Sequence, residues 1–236
     1  MRLLRPHRVA GLNKIRLGRF FDGGYVMMDA FDSVTAAYSF GINNDASWDL
    51  DIANRGIPVF QYDHTIDALP TMHSLFSWAK LGIGGITNPD VPLETIPNLI
   101  SKNGHQDHRN LIMKCDVEGH EWQVFAAMPG PCLEQFKQIV VEFHDFQRLD
   151  DIKFAEELQA ALVNLTRAHC VVHVHANNWG SWAIIGGVPI PSVIEITLMR
   201  RDVGACVVSD EIFPTGLDMP CNPERPDFYL GRFAFD

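Results

Sequence analysis

Apolar residues in this chain fall in short runs that stop on polar or glycine clusters, and most runs are followed by apolar residues at helical spacing. Residues 35–42, Thr-Ala-Ala-Tyr-Ser-Phe-Gly-Ile, make one such run. It stops at Asn43, Asn44 and Asp45 and leads into Trp48, Ile52 and Ala53. The pattern predicts strand, turn and helix, with Gly56 closing the helix. Val59, Phe60, Gln61 and Tyr62 predict a second strand that ends on Asp63. Over 64–108, Gly82, Gly84, Gly85, Pro89, Pro92 and Pro97 punctuate the chain; a third strand is expected near Leu81 to Ile86 and a short helix near Leu93 to Ser101. A fourth strand is predicted from Asn110 to Cys115. Asp116, Val117, Glu118 and Gly119 follow it, then a helix carrying Trp122, Phe125 and Ala126. Residues 138–143 predict a fifth strand, and Asp150 or Asp151 caps a helix with Phe154, Leu158, Ala161, Leu162 and Leu165 on its apolar face.

The last third changes character. Cys170 to Val174 and Val193 to Met199 are strand-like, but a segment rich in Gly, Trp and Asn joins them in place of a helix. Five β/α alternations followed by such a pair predict an α/β fold: a doubly wound, mostly parallel sheet with one antiparallel strand near its end. Residues 1–34 are read as an N-terminal cap, 35–202 as the main domain, and 203–236, with Pro214, Pro220, Pro223 and Pro226, as a tail packed on that domain.

Charge and cysteine usage narrow the partners. The 236 residues carry a formal net charge of −10, which disfavours nucleic acid, because phosphate neutralisation needs a basic surface. The first eight residues are basic but lack the ~7–15 apolar residues of a secretory signal, and no window reaches the ~18 of a membrane span. Cys115, Cys132, Cys170, Cys206 and Cys221 are odd in number and scattered, with no CxxC. Reduced thiols, a cytoplasmic protein, and neither a disulfide nor a Cys-zinc framework are therefore expected.

Ligands of a doubly wound sheet sit beyond the carboxyl ends of its strands. There the first strand places Gly41, Asn43, Asn44 and Asp45, only one glycine where a dinucleotide fingerprint has three. The second places Asp63 about twenty residues after Gly41, the spacing of an acid that binds ribose hydroxyls. The fourth ends in Lys114, Cys115, Asp116, Val117, Glu118, Gly119, His120, Glu121 and Trp122. Period-two geometry puts Asp116 and Glu118 on one side if the strand continues through them, while Glu118 or Glu121 could instead complement the next helix's N-terminus. Alternation also gives Glu142 and His144 a shared face, and His173 and His175 another. Two such pairs beside Asp116 point to a general base or to a metal site of mixed nitrogen and oxygen ligands.

Four segments in this order resemble the FkbM-type methyltransferases over about Asp22 to Arg201. They are Asp22-Gly23-Gly24-Tyr25-Val26, Tyr38-Ser39-Phe40-Gly41-Ile42, Lys114 through Trp122, and His173-Val174-His175-Ala176-Asn177-Asn178 with residues 190–197. The resemblance implies a seven-stranded class I methyltransferase fold, Rossmann-like with helices on both faces. It implies S-adenosylmethionine as cofactor and O-methylation of a sugar or small-molecule hydroxyl. By position, Phe40, Gly41 and Asn43 would line the methionine end, Asp63 the ribose, and Asp116 the sulfonium side, with Asp22 and Gly23 covering the cofactor.

For the base that deprotonates the acceptor, His144 and Glu142 come first, then His173 and His175. A divalent metal such as Mg, held by Asp116, Glu142 and His144, would instead lower the hydroxyl's pKa. Trp179 and Trp182 are candidates for an aromatic wall against a sugar ring, and equally for core packing. The competing readings are a metal-dependent hydrolase or lyase built on the same His/Glu/Asp cluster, and a noncatalytic binding protein on the same fold.

Overall fold

A computed structural model describes residues 1–87 and 92–235; Pro89 of the punctuated stretch lies outside them. In chain order the elements are β1 (His7–Val9), β2 (Lys14–Leu17), β3 (Tyr25–Met28), β4 (Ala36–Phe40), α1 (Ser47–Ala53), β5 (Val59–Tyr62), β6 (Phe76–Ala79), β7 (Gly82–Ile83) and β8 (Leu93–Glu94). There follow α2 (Ile96–Lys102), β9 (Leu111–Cys115), α3 (Glu121–Ala127), α4 (Gly130–Leu133), β10 (Phe136–Phe143), α5 (Ile152–Ala168), β11 (His169–Ala176), β12 (Trp182–Ile185), β13 (Val188–Pro191), β14 (Ile194–Arg200) and β15 (Cys206–Val208).

Seven strands form one sheet in the order β11-β14-β10-β9-β4-β5-β6. Its pairings are parallel from β10 through β9, β4 and β5 to β6, and β14 runs antiparallel between β10 and β11. The mixed sheet with helices is the expected α/β architecture, antiparallel strand included. The third sheet strand is not where the glycines suggested. It is β6, whose Ser77 is exposed and whose other residues are half-buried, while Gly82–Ile83 pairs only with Leu93–Glu94. No helix lies between Tyr62 and Phe76, so one β/α alternation is missing.

Alternation along the central strands separates two faces. Tyr38, Phe40, Met113, Cys115, Val141 and Phe143 point to one side and pack with Trp122, Phe125, Leu158, Leu162 and Leu165 of α3 and α5. Asp151, not Asp150, caps α5 by accepting from the Lys153 amide. Ala37, Val59, Ile112 and Val140 point to the other side, against Trp48 and Ile52 of α1 and against Leu17, Tyr25 and Met27 of β2 and β3. Helices lie on both faces, but unevenly: α3 and α5 cover the first, whereas on the second a β-hairpin takes much of the cover and α1 is the one helix among the described residues.

That cover explains why so many polar residues of β10, β14 and β11 are buried. Gln138 donates to the Met28 carbonyl and accepts from the Met28 amide at 3.0 and 2.9 Å, and the Thr197 hydroxyl donates to the Val26 carbonyl. Backbone groups of β3 that have no strand partner on that edge are satisfied by side chains rising from the sheet beneath.

The N-terminal strand β1 pairs antiparallel with β15. Beside them Cys170 of β11 and Cys206 of β15 form a disulfide, which overturns the expectation of reduced thiols; Cys115, Cys132 and Cys221 are free and buried. The pairing links positions 36 apart through a contact between the sheet edge and the C-terminal segment, for which no Cys spacing gives a sign. No helix among the described residues is long and apolar enough to cross a membrane.

Candidate functional site

A cavity of about 1130 Å³ opens where β4, β5 and β9 end. This is the point where successive connections leave in opposite directions, since β5 lies on one side of β4 and β9 on the other. The turn after β4 forms one wall. Gly41 has φ +76°, and a Cβ there would stand 1.6 Å from the Asp116 carbonyl oxygen. Only glycine permits this crossing of two strand ends, which the Asp116 amide locks by donating to the Phe40 carbonyl at 3.0 Å.

Asp63 holds the same turn. Its Oδ2 accepts the Ile42 and Asn43 amides at 2.8 Å each, and its Oδ1 accepts the Thr65 amide and hydroxyl at 2.7 and 2.6 Å. Burial acts to raise its pKa, but the hydrogen bonds from Asn43, Thr65 and Ile42 outweigh this and hold it below the ordinary carboxylate value. Beyond the turn Asp45 accepts the amide and hydroxyl of Ser47 at the start of α1, at 3.1 and 2.9 Å. The donors that would cradle a phosphate are therefore occupied by carboxylates of the chain itself.

The opposite wall comes from the ends of β9 and β10. Lys114 is buried, donates to the Gly41 carbonyl and sits 5.9 Å from the Tyr25 ring centre. Burial raises the Asp116 pKa to about 6, against the opposing charges of Lys114 and His144. β9 stops at Cys115, so the strand does not continue to Glu118; that residue takes φ +54°, and its largely exposed side chain reaches His144 Nε2 at 3.5 Å.

Glu121 is fully buried and accepts the Val117 amide at 2.9 Å and the Gly119 amide at 3.0 Å. It also meets His144 Nδ1 at 3.2 Å. Of the two acids weighed for the helix start, Glu121 does that work, and it orients His144 besides. Burial lowers the His144 pKa, but Glu121, Asp116 and Glu118 outweigh it and raise it to about 9. In this arrangement His144 is an imidazolium at neutral pH.

Glu142 lies 3.8 Å from His144 Nε2 and accepts from Asn177 Nδ2 at 2.7 Å. Burial and the nearby Asp116 and Glu195 push its pKa well above the usual carboxylate range. One donor atom each from Asp116, Glu142 and His144 falls within 4.8 Å of the others, so the sheet brings these predicted ligands together. His144 would face an ion with Nε2 while Glu121 holds Nδ1, the arrangement that orients metal-bound imidazoles.

Asp22 and Gly23, from the loop between β2 and β3, also line the cavity. Gly23 approaches Asp45 so closely that a Cβ would come within 2.2 Å of Asp45 Oδ2. Burial, then Glu195, raises the Asp22 pKa. Arg19 ties this loop down through the Asp22 carbonyl at 2.6 Å and Asp45 at 3.4 Å.

Three expected residues lie elsewhere. The Phe40 ring packs in the core against Tyr62, because period two turns it away from the cavity while its carbonyl serves Asp116. His173 is bonded to Asp218 at 2.7 Å, and His175 lies between Glu195 at 2.8 Å and Asp227 at 3.1 Å. Both histidines are buried under the C-terminal segment and neither lines the cavity. Trp179 lines the cavity and is over half exposed, whereas Trp182 packs on Phe228 with ring centres 5.0 Å apart.

Sequence reasoning passed over Tyr25, Thr65 and Asn177 as site residues. A hydroxyl or amide that serves a carboxylate far away in the chain leaves no periodic signal. Compared with known proteins, the chain matches no family model and no curated protein.

Proposed function

We propose that this chain is an S-adenosylmethionine-dependent methyltransferase of the FkbM type, acting on a hydroxyl of a sugar or other small molecule. The observation that carries the reading is the large cavity at the carboxyl ends of β4, β5 and β9, walled by Gly41, Asp63 and Asp116. The run β6-β5-β4-β9-β10, third-second-first-fourth-fifth in chain order among these strands, supports the reading, because a doubly wound sheet of that order takes its ligands at this switch point. The class I methyltransferase form adds the antiparallel strand.

The electrostatics favour this cofactor over a dinucleotide. Asp22, Asp45, Asp63, Asp116 and Glu118 line the cavity together with Arg19, Lys114 and the His144 imidazolium. The excess of carboxylates suits a sulfonium and opposes a pyrophosphate. The amides of the turn after β4 are already given to Asp63. The fit is thus good for a cationic ligand with ribose hydroxyls. Asp63 reaches a ribose only by sharing the oxygen that Thr65 now occupies, and its first duty is to shape the turn.

S-adenosylmethionine, when bound, supplies a methyl carbon activated for in-line displacement. The chain's own residues align the acceptor, exclude water and take up the hydroxyl proton. Asp116 lies against the cavity beside His144, whose charge, held by Glu121, steadies a developing alkoxide. Trp179 offers an aromatic face at the rim on the same side as Gly180 and Val193.

A second reading, a metal-dependent hydrolase or lyase, is favoured by the Asp116, Glu142 and His144 triad. Its imidazole makes the set better suited to a transition metal than to Mg. A metal held there would serve either reading by lowering the pKa of a bound hydroxyl or water. Isothermal titration with S-adenosylhomocysteine, with and without chelator, tests the proposal. Binding under both conditions is expected; no heat under either overturns the methyltransferase reading.

A further inference from the structure

Behind the cavity wall, the C-terminal segment presses a thiol onto the polar face of the sheet. Glu195 of β14 stands opposite His175 of β11 and Glu142 of β10 in the strand register. Its Oε2 meets His175 Nδ1 at 2.8 Å and its Oε1 meets Cys221 Sγ at 3.5 Å. All three side chains are buried, and one donor atom from each lies within 4.8 Å of the other two. We propose that His175, Glu195 and Cys221 form a zinc-type metal site that fastens the C-terminal segment to the sheet.

The donor chemistry selects the ion. A thiolate, an imidazole and a carboxylate are the ligands zinc takes, whereas a soft sulfur donor excludes Mg and Ca. Around the imidazole the geometry is that of an oriented ligand: Nδ1 points at the cluster while Nε2 is held by Asp227, at 3.1 and 3.2 Å from its two oxygens.

Charge points the same way. Glu195 and Asp227 flank one imidazole from its two sides at a buried place, and buried carboxylates are costly without counter-charge. A divalent cation offsets that excess. Cys221 is a free thiol here, separate from the Cys170–Cys206 disulfide. The site is also distinct from Asp116, Glu142 and His144, since none of its three ligands lines the cavity.

Cobalt titration of the full chain, stripped with chelator and not reduced, tests this. The expected result is one equivalent of Co(II) giving intense thiolate-to-cobalt charge-transfer absorption, displaced by zinc and absent from Cys221→Ser. Asp227→Asn should weaken cobalt binding about 10–100-fold, as second-shell losses do, with the band retained at saturation. An oxygen-ligated ion at Asp116 gives no thiolate band, so Asp116→Asn should leave the signal unchanged. Absence of the band in the parent chain overturns the proposal, as does its persistence in folded Cys221→Ser. If that variant does not fold, Glu195→Gln carries the test, and unaltered cobalt affinity there overturns it.

Discussion

Replacing Asp63 by Asn preserves the side chain's shape while converting one acceptor oxygen into a donor. If the amide nitrogen replaces Oδ2, the Ile42 and Asn43 amides lose their acceptor; if it replaces Oδ1, the amide and hydroxyl of Thr65 do. Hydrogen bonds to a charged group contribute roughly 1.5–3 kcal/mol each. The second orientation costs less, because Thr65 is exposed and water can replace its partner. A net loss of about 2–4 kcal/mol at neutral pH follows. Urea denaturation of parent and variant measures it, as a lower midpoint at unchanged slope.

The pH dependence has a definite sign. The folded-state pKa of Asp63 is depressed, so its contribution is complete above the unfolded value of about 3.9 and fades as pH falls through the folded value. The gap between the two proteins should therefore narrow on acidification from about pH 4 downward. A variant within about 0.5 kcal/mol of the parent at neutral pH, or a gap that stays constant into acid, refutes the reasoning.

Gly41→Ala should lower both stability and S-adenosylhomocysteine affinity. A left-handed backbone costs a non-glycine residue about 1–2 kcal/mol, before the strand ends move apart to relieve a 1.6 Å approach. Parent-like melting and binding would contradict that account. His144→Ala is expected to abolish turnover while leaving cofactor affinity within a few-fold, as calorimetry beside a methyl-transfer assay would reveal; preserved turnover removes His144 from the chemistry. Cys206→Ser, or reduction of the parent, should cost about 2–4 kcal/mol by opening the loop that the disulfide closes. Identical melting with and without reductant would mean that the two thiols are not joined.

Much of the central sheet is legible along the chain. A strand buried on both faces must be apolar almost throughout, and Ala36–Phe40, Val59–Tyr62 and Leu111–Cys115 carry that pattern. Because ligands meet such sheets at their strand ends, the strand pattern alone places Gly41, Asp63 and Asp116 at one mouth. The edge strand Phe76–Ala79 could not, since it is only partly buried and its residues need not be uniformly apolar.

What each polar residue does was decided by tertiary structure. Alternation correctly put His173 and His175 on one face, but the choice between cavity and cover rests with Asp218, Asp227 and Cys221, which arrive from the far C-terminal segment. Likewise Asp63 spends both oxygens on its neighbours, and His144 is held as a cation by Glu121. Period and spacing report which way a side chain faces; its charge state and availability depend on which distant atoms complete its shell. Those atoms are set only when the chain closes on itself.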